Sequence, residues 1–164
     1  MTEDIASAFR FPYDFSTDPD RVTLADVRTH DIYLDALLDM VLGPIGVHDD
    51  NDRWLSLTVT AGGVTVSGRA IGPDTWAKKM ESEVAKVHPG VAEGFTSLHE
   101  NVSKLFDEMR RRREEENRPQ TARRFLHMSD VTIFANTGAP LQLPLWRGQM
   151  CEVSSWTLGT LSFD

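Results

Sequence analysis

Two hydrophobic periods alternate along this chain. From Asp31 to Gly43, DIYLDALLDMVLG, the residues Ile32, Leu34, Leu37, Leu38, Val41 and Leu42 fall mostly on one side of a helical wheel. That predicts an amphipathic helix over 31–43, capped by Asp31 or Thr29 and stopped by Gly43-Pro44. The polar loop GVHDDNDR follows. From Trp54 the period drops to two: residues 54–61 and 63–71 alternate apolar and polar and are rich in β-branched side chains. They predict a two-stranded hairpin over 54–71, turned at Gly62-Gly63, where glycine adopts positive φ without a Cβ clash.

Gly68 interrupts the second strand. A glycine there marks a bulge, a sharp bend, or the close approach of another backbone. A small barrel needs such a bend, because one strand must serve both halves of its sheet. The helical period then returns over 74–118. Asp74 or Thr75 is placed to cap a first helix, and Pro89-Gly90 interrupts it. Beyond the break, Val91, Phe95, Leu98, Val102, Leu105, Phe106 and Met109 recur at three- and four-residue spacings. That stripe is seam-like, suited either to the body of the domain or to a partner helix. The run RRRREEENRPQ closes the segment, its arginines complementing a helix C-terminus and its proline ending the helix.

Residues 125–135, about 145–154, and 156–163 read as three further strands, with NTGAPLQLP as a loop between the first two. The chain therefore divides into an acidic, partly ordered arm over 1–28 and one domain over 29–164. The expected class is α+β: a small five-stranded, strongly bent antiparallel barrel with an N-terminal helix and a helical insertion between strands two and three.

Charge changes this picture in one respect. The net charge is -8, yet residues 1–52 carry twelve Asp/Glu against three Lys/Arg, while 104–124 carry eight Lys/Arg against five Asp/Glu. The overall sign argues against general nucleic-acid binding, and the split predicts salt-sensitive self-association by charge complementarity. No apolar run reaches the length of a membrane span, and MTEDIASAFR lacks the apolar core of a signal peptide. With Cys151 as the single cysteine, a cytoplasmic protein is expected.

The order of elements resembles the Sm-like fold, a five-stranded barrel of the SH3-like type: LTVTAGGVTVSGRAIG looks like its first half and LWRGQMCEV like its second. Three blocks together resemble the gas-vesicle accessory protein U (GvpU) family. These are LTVTAGGVTVSGRAIGPDTW, FLHMSDVTIF and LPLWRGQMCEVSSWTLGTL, and the resemblance covers most of residues 31–162. It implies a non-enzymatic accessory protein that assembles, clusters or regulates gas-filled protein shells, through contact with shell or other accessory proteins or by self-association.

Candidate chemistry is sparse. His30, His48, His88, His99 and His127 form no metalloprotease, zinc or nucleophile motif, and Ser67-Gly68 lacks the first glycine of a nucleophile elbow. The acidic turn His48-Asp49-Asp50-Asn51-Asp52 lacks the spacing and closing Glu of a calcium loop. No catalytic residue, metal or cofactor is expected. Gly62, Gly63, Gly68 and Gly148 are assigned to turns and bends. Trp146, Arg147, Trp156 and Arg110, Arg111, Arg112 and Arg113 are the candidate contact residues, because Trp and Arg dominate binding hot spots. Sm-like subunits form rings by strand pairing, which would place the contact at 145–153 and 156–163. The alternative is an Sm-like RNA-binding module. Its first loop is replaced here by IGPDTWAKK, so Arg147-Gly148 alone remains of that site. A weaker reading is a small-molecule-binding or regulatory barrel, to be judged by whether a sizeable apolar pocket lies under the insertion.

Overall fold

The computed structural model describes residues 13–46, 52–135 and 138–161. The first part of the acidic arm, His48 to Asn51 of the acidic turn, and the last residues of the third expected late strand lie outside them. The elements are α1 (Leu24–Val27), α2 (Ile32–Leu42), β1 (Trp54–Ala61), β2 (Val64–Ile71), α3 (Pro73–Val87), α4 (Pro89–Glu115), β3 (Phe125–Phe134), β4 (Leu141–Gln149) and β5 (Val153–Leu158). The α+β class holds: helices lie between β2 and β3, and the five strands form one antiparallel sheet in the order β4-β3-β2-β1-β5.

The sheet is neither closed nor strongly curled, so the expected barrel is corrected to an open sheet. The glycine signal was real but local. β3 carries an extra residue, Asp130, at φ 51°, where the β2–β3 register shifts opposite Gly68. A Cβ on Gly68 would lie 2.9 Å from the Ser129 carbonyl oxygen. The bend therefore relieves one close backbone approach, and a helix instead covers the apolar face. Asp31 caps α2 by accepting from the N–H groups of Tyr33 and Leu34. α2 then buries Leu34 and Leu38 completely against Leu57, Val59, Val66, Ala70, Leu126, Met128 and Val131. Gly62 and Gly63 both have positive φ, as a tight hairpin turn between Ala61 and Val64 demands.

Two boundaries move. β4 starts at Leu141 and includes Pro144, which an edge strand tolerates because one side of its backbone needs no partner. It ends at Gln149, where a 3-10 turn over Met150–Glu152 sends Met150 into the core, and β5 begins at Val153 on the opposite edge.

On the other sheet face, Thr58 and Ser67 place their hydroxyls 2.9 Å apart. The turn after β5 covers them: Thr58 donates to the Gly159 carbonyl and Ser67 accepts from the Leu161 N–H. On that same face α3 lays Trp76 beside His127, with ring centroids 5.2 Å apart. The His127 Nε2 accepts a hydrogen bond from Arg147 Nε at 3.2 Å, which holds the imidazole neutral. Burial, with Arg147 and Arg123 close by, pushes its pKa down to about 3.

The acidic and basic segments meet inside one chain. Arg113 of α4 is completely buried. Its Nη1 donates to both Asp18 oxygens, at 3.0 and 2.8 Å, and to Asp20 at 3.1 Å, and its Nε donates to the Pro119 carbonyl. Burial alone would raise the Asp18 carboxyl. Bonds from Arg113, the Tyr13 hydroxyl and the N–H groups of Asp20 and Val22 outweigh it and hold that carboxyl below the usual range. Arg112 pairs with Asp20, Arg124 with Asp26, and Arg123 with Asp39 at 2.6 Å and Asp35 at 3.5 Å. The charge split is thus used intramolecularly to dock the described part of the arm.

Three outcomes are expected. Gly68→Ala forces a methyl against the Ser129 carbonyl and lowers stability by about 1–3 kcal/mol, read by urea denaturation. Asp18→Ala strands a buried guanidinium and costs about 3 kcal/mol, whereas Asp18→Ala with Arg113→Met recovers most of that loss. Because the folded-state pKa of His127 lies below its unfolded value of 6.5, its contribution is complete above pH 6.5 and declines as the pH falls toward 3. Unfolding free energy should fall by about 2 kcal/mol between pH 6.5 and 4.5. His127→Gln should flatten that slope; an unchanged slope would assign it to other groups.

Candidate interaction surface

α3 and α4 form a helical hairpin broken at His88, which precedes Pro89 and sits at φ −143°, ψ 84°, outside the helical region. α3 starts at Pro73, one residue before the expected cap, because proline suits the first helical position. One flank of α4 faces the body: Ala92 is buried, Phe95 meets Trp76 edge-on at 6.5 Å, and His99 Nε2 lies 3.0 Å from Asp74 Oδ1. The next flank faces solvent. Leu98 is 59% and Leu105 64% exposed, with Val91, Val102 and Phe106 exposed beside them. The stripe seen in the sequence is thus split, its Phe95 side partnered and its Leu98 side open.

α2 holds a second exposed apolar set. Ile32, assigned to the buried side from its period, is 68% exposed, and Tyr33 and Met40 are exposed with it. The face set by Leu34 and Leu38 lies two residues along from Ile32, roughly 160° around a helix, and this offset was the missed signal.

The assigned contact residues scatter. Trp146 and Trp156 both pack against the core, and the Trp156 indole N–H donates to Asp31 Oδ2 at 2.7 Å. Gly148 makes room for Trp146: a Cβ there would lie 2.1 Å from the indole. Arg147 is exposed, with its guanidinium carbon 3.5 Å from the Phe125 ring centroid. Arg110 pairs with Asp107 at 2.8 Å and Arg111 with Glu115 at 3.0 Å, while Arg112 and Arg113 belong to the Asp18–Asp20 cluster. The remaining tryptophans divide likewise, with Trp76 against His127 and Trp54 half-exposed beneath Arg69.

Two recesses lie on the described surface. One, of about 310 Å³, is lined by Asp26, His30, Arg124 and Cys151 among others; the exposed Cys151 thiol donates to Gln149 Oε1. Another, of about 230 Å³, lies between α3 and α4 with Asp74, Lys78, Glu81 and Glu100 around it. Ala77, Phe95, Thr96 and His99 line it as well, so apolar and charged side chains share its wall. Among the described residues no group of His, Cys, Asp and Glu is arranged to hold a metal ion, and no helix is long and apolar enough to cross a membrane.

Comparison with known proteins gives a match to a family model. No curated protein and no solved structure matches the chain. The family model described as "Gas vesicle protein GvpU-like" matches residues 35–161, which takes in most of α2, all five strands and the α3–α4 hairpin. With most of its length under that model, the chain belongs to the GvpU-like family of gas vesicle proteins.

Proposed function

We propose that this protein is a non-enzymatic gas vesicle accessory protein of the cytoplasm that acts by protein–protein contact and by self-association. The observation that carries the reading is the open apolar flank of α4 on a chain of this family. Exposed apolar area of this extent on a soluble domain marks a contact surface. Shell protein or another accessory protein is the external partner. Assembly, clustering or regulation of vesicles follows from holding such partners together.

The RNA-binding alternative finds less support. The arginines of the basic segment are engaged with carboxylates, so they offer little uncompensated charge to a phosphate backbone. Arg147 lies on Phe125 and bonds His127.

Gas-filled shells rise in a centrifugal field, and a bound protein rises with them. The purified chain mixed with intact vesicles should be recovered in the buoyant layer, and the vesicles should cluster under the microscope. Recovery of all the chain below that layer at every concentration tried, with saturable binding to oligo-U, would instead favour the RNA reading.

A further inference from the structure

We infer that the open flank of α4 is where a second copy of this chain seats its own α4, antiparallel and related by a two-fold axis, an arrangement that rests on the self-association reading above. Val91, Leu98 and Leu105 recur every seven residues, and so do Phe95, Val102 and Met109, offset by four. These are the two seam positions of a heptad. Within the chain the seam is only half used, since Phe95 meets Trp76 while Leu98 and Leu105 face water.

A row of small residues runs beside this ridge: Gly90, Gly94, Ser97 and Asn101, spaced four, three and four apart and all exposed. A Cβ at Gly90 or Gly94 would meet no atom within 4 Å. The single chain therefore has no steric need for glycine at either place, although glycine inside a helix costs about 1 kcal/mol relative to alanine. A groove of small residues next to an apolar ridge is self-complementary. Under a two-fold axis, the ridge of each helix enters the groove of the other.

Charge and area agree. Glu93 and Glu100 lie on the opposite side of α4, roughly 140–180° around the helix from Val91 and Leu98, and Lys104 about 100° from Leu105, so the ridge itself carries no charge and the row of small residues carries none as far as Asn101, with Glu108 beyond it. A parallel pair would bring two Arg110–Arg113 clusters together and align the helix dipoles, whereas the antiparallel pair separates the clusters and opposes the dipoles. The exposed side chains present on the order of 500 Å² per copy. Two copies then bury on the order of 1,000 Å², the lower bound for a specific interface.

Size-exclusion chromatography with light scattering on the full chain tests this. The unmodified protein should run as a dimer or larger, and should stay so in about 0.5 M salt, where the Debye length is roughly 4 Å. The double variant Leu98→Glu, Leu105→Glu should lose that assembly step while keeping its circular dichroism. Gly94→Leu should raise the melting temperature of the single chain yet weaken association at least tenfold, so a second variant reads the interface should the first fail to fold. A monomer at all concentrations would overturn both this interface and the self-association reading. An assembly unchanged in both variants, or dispersed by salt, would overturn the α4 interface alone and leave the free edges of β4 and β5 as the site of self-association.

Discussion

A guanidinium with no access to water cannot be left without counter-charge, and Arg113 is such a group. Its solution is to gather Asp18, Asp20 and the Pro119 carbonyl around the end of α4. The arm, some 95 residues away in sequence, is thereby held to the last turn of α4 and to the segment that leads from it to β3. Arg123 repeats the device nearby, binding Asp39 and the Gly43 carbonyl at the end of α2. The long excursion between β2 and β3 is tied at its far end by charge rather than by apolar packing. α4 therefore has little need to bury its own apolar stripe.

The sheet and α2 make up a separate, apolar half of the fold. Leu34 and Leu38 enter a layer of alternating strand residues, and the sheet stays open because that helix covers the face a barrel would close upon itself. The other face is finished by small polar devices, namely the Thr58–Ser67 hydroxyl pair under the Gly159 turn and the His127–Arg147 bond under Trp76. These pair polar groups that the sheet partly buries. The exposed apolar surface lies elsewhere, on the α4 flank and on the Ile32–Tyr33–Met40 face of α2.

The period of the apolar residues determined much of this by itself. Period two between Trp54 and Ile71, with glycines able to take positive φ at the turn, specifies the β1–β2 hairpin before any tertiary contact. Period 3.6 specifies α2 and α4, and Pro89 specifies the break between α3 and α4. The three blocks that resemble the family lie in these strongly patterned strands, so family membership was legible too. Gly68 announced a close approach but not its partner: the same glycine serves a closed barrel or a bulge against Asp130.

Only the tertiary structure decided which side of each stripe meets water. Periodicity measures that a helix has an apolar face, not how wide a neighbour it finds, so Phe95 is covered and Leu98 is not. Likewise the sequence carries the charges of Asp18 and Arg113 without their separation in space. Whether opposite charges 95 residues apart pair within a chain or between chains depends on the path of the backbone, and here they pair within it. Tryptophan and arginine content named candidate contacts; the tertiary structure packs Trp146 and Trp156, each partly buried, against the core and buries Arg113 completely beside Asp18.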